Sequence, residues 1–362
     1  MKKVAVISGT NHYEERMRSV IEEYKRDSEV VYLISDFDHI TKSRYVFDKE
    51  SAKQIHVPEY KKNLSVQRIF SHFVFSVKVF LTLCKIKPEV VYVEIPHNTL
   101  AASTKWYKRF HKCELIMDIF DMWPESLPMK KDNVLFKMAC RIWRGFRNRN
   151  LKFADKVYTE CNYYQELMNE EGCFVPMETK YLTRKRVDVT VDTIWEEDRF
   201  HVCYVGNINN IIDIPFIAGF LADLNRQKKV CVHLVGNGEG RTKLIESLEY
   251  NGIQVVSYGV VYDAYKLQEI MNKCYLGLNF LLPDLAIGLT MKSITYLRAG
   301  MPLLNTVPGD TWEMVEKHDV GINITREERD IVIQKLLDLK KSDIVEMKNR
   351  ARRAFEEHFS ED

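Results

Sequence analysis

An apolar run that closes in a glycine turn and hands over to a helical pattern begins each half of this chain. Val4–Ser8 runs into Gly9-Thr10-Asn11, with a helix expected over Glu14–Lys25 and a strand over Val30–Ser35; Phe200–Gly206 (FHVCYVG) restarts the plan. Strand, glycine turn, helix, strand is the grammar of a doubly wound α/β sheet. A chain of 362 residues exceeds one ordinary core, and two domains of roughly 150–200 residues are the expectation.

The polar balance narrows the function classes. A net charge of +2 provides no global field to attract nucleic acid, so a basic function has to be local. The eight cysteines are scattered, without a Cys-x-x-Cys pair or a histidine spacing suited to zinc; several lie in apolar runs such as VCYV and VCVHLV. They read as buried free thiols of a reducing compartment rather than disulfides. The opening MKKVAVISGT has too short an apolar run for a signal peptide and reads as a first buried strand. No stretch reaches the roughly 18 uncharged apolar residues of a membrane span, and a cytoplasmic location is expected.

Chemistry is expected just past strand ends. The stretch Leu276–Val307 (LGLNFLLPDLAIGLTMKSITYLRAGMPLLNTV) reads as buried strand, Pro-Asp loop, helix from about Thr290 to Arg298, a stop at Ala299-Gly300 and a second strand. Free amides of a first helical turn make an anion cradle. Lys292 sits in that turn, where the helix dipole alone favours an acid, and so points to a negatively charged ligand; a surface lysine is the equally weighted alternative. In the first half, the strand Glu89–Ile95 ends in Pro96-His97-Asn98, and Glu114–Asp118 runs into DIFDMWPESL. His97 is a candidate catalytic residue by this placement.

Two segments carry resemblance to a known family. KSITYLRAGMP resembles the K-x-x-E-Y-x-A-x-G-x-P stretch of family 4 glycosyltransferases, matching at Lys292, Tyr296, Gly300 and Pro302. DMWPES matches the D-x-W-P-E-S signature of a bacterial subgroup that builds surface polysaccharides, at Asp121, Trp123, Pro124, Glu125 and Ser126. The resemblance implies an α/β chain of the GT-B fold, two Rossmann-like domains facing across a cleft. The expected parts are an acceptor domain over 1–180, a linker over 181–199, a donor domain over 200–345, and a helix over 346–362 returning to the first domain. It implies a retaining, metal-independent transferase that needs no cofactor and takes a UDP- or GDP-linked sugar to a lipid-linked or glycan acceptor. By the same resemblance, Gly206, Asn207, Gly236, Gly259, Asp284, Thr290, Met291, Lys292, Ser293 and Thr295 face the donor. Gly9, Thr10, Trp123 and Glu125 face the acceptor, and a catalytic role for Asp121 is implied only by the resemblance that DMWPES carries. The chain departs from the family twice. The paired glutamates fall on Ile287 and Thr295, and the basic residue with Lys-Gly after the second domain's first strand is replaced by Asn207-Ile208-Asn209. A non-catalytic relative that partners an active transferase is therefore the competing expectation.

Two helices bear on membranes. Val66–Lys87 is apolar on most faces, interrupted by Arg68, His72 and Lys78. A core helix is the favoured reading over a lipid-touching edge. Lys130–Lys152 interleaves Lys130, Lys131, Lys137, Arg141, Arg144, Arg147, Arg149 and Lys152 with Phe136, Met138, Ile142, Trp143 and Phe146, against the single acid Asp132. This is the make-up of a helix on an anionic membrane. A solvated face is the alternative, and nucleic acid is the weakest reading.

Overall fold

The computed structural model describes residues 1–11, 14–47, 52–63, 65–127 and 134–361. The chain divides into two compact units, Met1–Leu182 and Thr183–Asp362. Lys130, Lys131 and Asp132 of the basic segment lie outside the described residues.

In the first unit the elements run β1 (Lys2–Ser8), α1 (Glu14–Lys25), β2 (Ser28–Ser35), β3 (Ala52–Ile55), α2 (Val66–Ile86), β4 (Val90–Ile95), α3 (Asn98–Phe110), β5 (Glu114–Ile119), α4 (Val134–Leu151), β6 (Lys156–Thr159), α5 (Asn162–Glu170) and β7 (Glu178–Thr179). They form a parallel seven-stranded sheet of order β3-β2-β1-β4-β5-β6-β7. Central strands such as β4 (VVYVEI) are buried at every position, as strands covered by helices on both faces must be. The two residues of β7 are too few to show a periodicity and fall at the end of the expected first domain, just before the linker. Helix α1 has Glu14 and Glu15 in its first turn and Lys25 in its last, matching its dipole. Its fully buried Arg16 donates to both oxygens of Asp118, at 2.6 and 2.7 Å, and to the Lys180 carbonyl at 2.6 Å. That pair fastens the helix to the end of β5.

The second unit contains β8 (Arg199–Val205), α6 (Ile214–Gln227), β9 (Lys229–Val235), α7 (Arg241–Tyr250), β10 (Gln254–Gly259), α8 (Ala264–Asn272), β11 (Leu276–Asn279), α9 (Met291–Arg298), β12 (Leu303–Asn305), α10 (Asp310–His318), β13 (Gly321–Asn323), α11 (Arg329–Asp338) and α12 (Lys341–His358). Its six parallel strands run β10-β9-β8-β11-β12-β13. Phe200, Val202, Phe220, Val232, Leu278 and Phe280 are among its core side chains. Helix α12 packs on α9 and α10 of its own unit. In both sheets the strand order reverses beside the first strand of the unit, at β1/β4 and at β8/β11, and such a reversal opens a crevice at the carboxyl ends of the strands.

Helix α2 departs from the favoured core reading. Its buried side carries Ser71, His72, Phe75, Ser76, Val79, Thr82 and Leu83, while Val66, Ile69, Phe70, Phe73, Val77 and Leu81 face outward, both Phe70 and Phe73 at 56% exposure. By length and composition it is also apolar enough to cross a membrane, although one face packs on α3 and β3. All eight cysteines are free thiols, six of them buried.

Candidate active site

At the β8/β11 reversal, α9 begins with Thr290 as N-cap, whose hydroxyl accepts from the Ser293 amide at 3.0 Å. The amides of Met291 and Lys292 then have no backbone acceptor among the described residues, the usual state of a first helical turn. Tyr296 fixes the helix to the sheet. Its hydroxyl accepts from the Val205 amide at 2.9 Å and reaches the Leu278 carbonyl at 3.2 Å. The ring lies where a Cβ on Gly277 would be, 2.8 Å away, so β11 needs a glycine at that point.

Lys292 extends from this turn along Gly206, its Cε 3.5 Å from the place of a Cβ there. Its ammonium lies 5.3 Å from the centre of the Tyr204 ring. Among the described residues it has no carboxylate partner, and loss of hydration lowers its pKa to about 8. A cation held partly out of water without a counter-ion beside free helix amides forms a site for an anion.

The glycines around it are there for close packing. A Cβ on Gly236 (φ +133°) would fall 2.0 Å from the Gly206 carbonyl oxygen, and one on Gly238 (φ +136°) 2.4 Å from the Asn207 side chain. Gly206 (φ +122°) donates to Val235, and Gly236 donates to the Gly259 carbonyl at 2.7 Å. The three candidate glycines thus bring the ends of β8, β9 and β10 together, with Asn207 exposed on the loop. Asp284 sits on an exposed left-handed turn (φ 65°).

One expectation at this site needs correction. Thr295 does not offer its proton to a ligand, because its hydroxyl donates to the Met291 carbonyl at 2.8 Å and accepts from Arg184 at 3.3 Å. A helical threonine satisfies its own preceding turn in this way. Ile287, the other glutamate position, packs on the core. Sequence reading also missed what holds the cradle. Asn279, Asn305 and Asn323 stand in register at the ends of β11, β12 and β13. Asn279 donates to the Asn305 side-chain oxygen at 3.0 Å, and Asn305 to that of Asn323 at 2.8 Å. Asn279 continues to Ser293 at 3.1 Å and Thr290 at 3.2 Å, and Ser293 to Thr311 at 3.1 Å. A shared signal was present in the sequence: LGLN, LLN and GIN each end an apolar strand in asparagine.

In the first unit, His97 occupies the β1/β4 reversal. Its ring stacks on His72 at 3.5 Å and lies against Gly9, whose Cβ would meet it at 2.5 Å. Burial holds both imidazoles well below their ordinary pKa, hence neutral, and the buried His97 Nδ1 has no hydrogen-bond partner. Ser8 bonds the fully buried Glu94 carboxyl and the Thr10 carbonyl. Burial pushes the Glu94 carboxyl well above its ordinary pKa, and the Ser8 hydroxyl ties Thr10 into the core. Asp121 is pushed up by burial against a hydrogen bond from Ser126, which suits a carboxyl that exchanges protons.

The DMWPES motif is divided between surface and core. Arg68 stacks its guanidinium over Trp123 at 4.0 Å. Glu125, by contrast, is engaged by the fully buried Arg147 at 3.0 and 3.1 Å, so its carboxylate is committed to α4 rather than to an acceptor. Arg144 likewise turns to Glu171 at 2.6 Å. Both arginines therefore leave the set of charges expected to face a membrane, which retains Lys137, Arg141, Arg149 and Lys152 as exposed cations. Between α2 and α4 lies a groove of about 570 Å³ lined by Val66, Ile69, Leu127, Phe136 and Trp143, with Arg68, His72 and Trp123 also on its wall.

The two Rossmann-like units define a GT-B architecture. No family model and no curated protein sequence matches the chain. Among solved structures it is similar to sucrose-phosphate synthase from Thermosynechococcus elongatus, with a TM-score of 0.74 at 10% identity over 99% of this chain and 95% of that one. It is also similar to the lipopolysaccharide outer core galactosyltransferase WaaB, at 0.70 and 14% over 99% and 96%. Anabaena HepE in complex with UDP gives 0.68 and 13% over 99% and 96%. At such identities the likeness is one of fold.

Proposed function

We propose that the protein is a glycosyltransferase that moves a sugar from a UDP- or GDP-linked donor to a lipid-linked or glycan acceptor in bacterial surface polysaccharide synthesis. The observation that carries this reading is Lys292, a partly desolvated ammonium with no counter-ion among the described residues, beside the unpartnered amides of α9. The departing diphosphate of a nucleotide sugar gains negative charge in the transition state, and a preformed cation with helix amides stabilises that charge without need of a metal. The similar Anabaena HepE has been solved with UDP and with UDP-glucose. Asp121 and His97 are the residues assigned to the reacting sugar and acceptor.

The acceptor's lipid, and a cytoplasmic membrane surface, fit the first unit. Outward apolar side chains of α2 and α4, with Ile142 at 67% exposure, sit among Lys137, Arg141 and Arg149, the mixture that favours anionic bilayers. A thermal-shift screen with nucleoside diphosphates and their sugars tests the donor reading, since a ligand that binds the folded state raises the melting temperature by mass action. No shift with any nucleotide refutes it. The positions of Thr295 and Ile287 favour a second reading, a non-catalytic partner subunit. Nucleotide binding without sugar transfer or donor hydrolysis, in the presence of membrane lipid extracts, would select it.

A further inference from the structure

We propose that His201, Cys231 and His233 form a site for one zinc-type divalent transition metal ion in the second unit, apart from the anion cradle. His201 on β8 and Cys231 on β9 are register partners, and His233 follows two residues later on the same face. The three donor atoms lie within 4.8 Å of one another, and all three residues are buried. His201 Nδ1 and His233 Nε2 are 2.9 Å apart, and Cys231 Sγ is 3.8 Å from the same Nε2. Ligand atoms on one tetrahedral zinc stand about 3.3–3.6 Å apart, given bonds of about 2.0 Å to nitrogen and 2.3 Å to sulfur. Two imidazoles and a thiolate suit zinc in softness as well.

The outer nitrogens support the assignment independently. His201 Nε2 faces the Glu196 carboxylate at 3.1 Å, and His233 Nδ1 faces the Tyr258 hydroxyl at 2.8 Å. Imidazoles that ligate metals carry such partners on their other nitrogen. A carboxylate only accepts, so His201 holds its proton on Nε2 and turns a lone pair toward His233. Without metal, one proton on His233 Nε2 fills the gap and Tyr258 donates to Nδ1. With metal, that proton moves to Nδ1, Tyr258 becomes the acceptor, and the ion takes both lone pairs. Both ring nitrogens of His201 and of His233 are satisfied in either state. Cys231 completes the donor set as thiolate after releasing its proton to solvent, and three protein donors leave a fourth position for water.

The cluster lies near the start of β8, and five residues of strand at about 3.3 Å each place it roughly 16 Å from Gly206. A metal here would pin β8 to β9, and through Glu196 the segment that enters the sheet. It takes no part in sugar transfer, so the inference stands or falls separately from the proposed function.

Titration of the full chain, produced without a polyhistidine tag, with Co²⁺ reads the site directly. The expected result is one ion per chain, a thiolate-to-cobalt charge-transfer band, the intense visible bands of tetrahedral cobalt, and displacement by Zn²⁺. Cys231→Ser should abolish the charge-transfer band and weaken binding at least tenfold. His318→Ala, in the separate His318, Glu357 and His358 group, should change neither. Absence of the band in the unaltered protein overturns the proposal whatever the variants do, as does a band that survives Cys231→Ser.

Discussion

Replacing Lys292 by methionine keeps the length of the side chain and removes its charge, and the structure predicts opposite effects on stability and binding. A fall of the ammonium pKa from 10.5 to about 8 corresponds to roughly 3 kcal/mol of lost solvation. The side chain keeps some contact with water, so a discounted release of about 1–2 kcal/mol is expected. Ligand-free Lys292→Met should therefore melt about 2–6 °C above the unaltered protein. Its affinity for UDP or GDP should fall by about 1.5–3 kcal/mol, or roughly 10–150-fold, for the loss of a charge-assisted contact. The pH dependence follows with definite signs. Between about 8 and 10.5 the unfolded chain holds the Lys292 proton and the folded chain does not, so the folded protein gains stability from this residue as pH rises through that window. Diphosphate affinity moves the other way and declines above about pH 8, as the free ammonium is lost. Scanning calorimetry without ligand and titration calorimetry at pH 7 and 9 measure both. A Lys292→Met protein that melts lower yet binds nucleotide unchanged would refute the reasoning.

Tyr296→Phe leaves the Val205 amide and Leu278 carbonyl without their hydroxyl and should cost about 1–3 kcal/mol in urea unfolding, with nucleotide affinity reduced because α9 loosens; an unchanged midpoint would count against the anchor. Glu125→Ala strips the bidentate partner from buried Arg147, and although Glu171 remains at 3.7 Å a loss of about 3 kcal/mol is expected. A variant that folds normally but loses only acceptor affinity would return Glu125 to the acceptor side. Ile69→Asp combined with Ile142→Asp should reduce co-sedimentation with anionic vesicles severalfold while sparing nucleotide binding; binding that persists in the pair, or is absent at low salt in the parent, would reduce this face to a solvated surface.

What the sequence disclosed and what it withheld divide along the range of the forces involved. Strands buried on both faces write continuous apolar runs, so β1, β4 and β8 were legible to within a residue or two. Helix α9 was legible from Thr290 and the Ala-Gly stop. Its role as a cradle also showed, because Lys292 contradicts the helix dipole locally. The fates of Glu125, Arg144 and Arg147 were not legible. A carboxylate in a motif looks alike whether it meets a substrate or an arginine twenty-two residues on, and only packing decides. Helix α2 misled for a related reason. Its buried side holds serine, threonine and histidine in contact with other elements, so the apolar residues left over face outward. Thr295 shows a third limit: composition marks a hydroxyl as a free donor, while helix geometry had already given its proton to Met291.

The asparagine ladder at the ends of β11, β12 and β13 has a consequence for the rate and entropy of ligand capture. Asn279 grips Thr290 and Ser293, and through them the first turn of α9, before any anion arrives. Nothing in that turn has to be ordered on binding, so an incoming diphosphate meets amides already aimed and forfeits mainly its own freedom of motion. Hydrogen exchange at Ser293 and Asn305 should be slow in the empty protein and change little when nucleotide is added. Association should accordingly be limited by encounter rather than by rearrangement of the cradle.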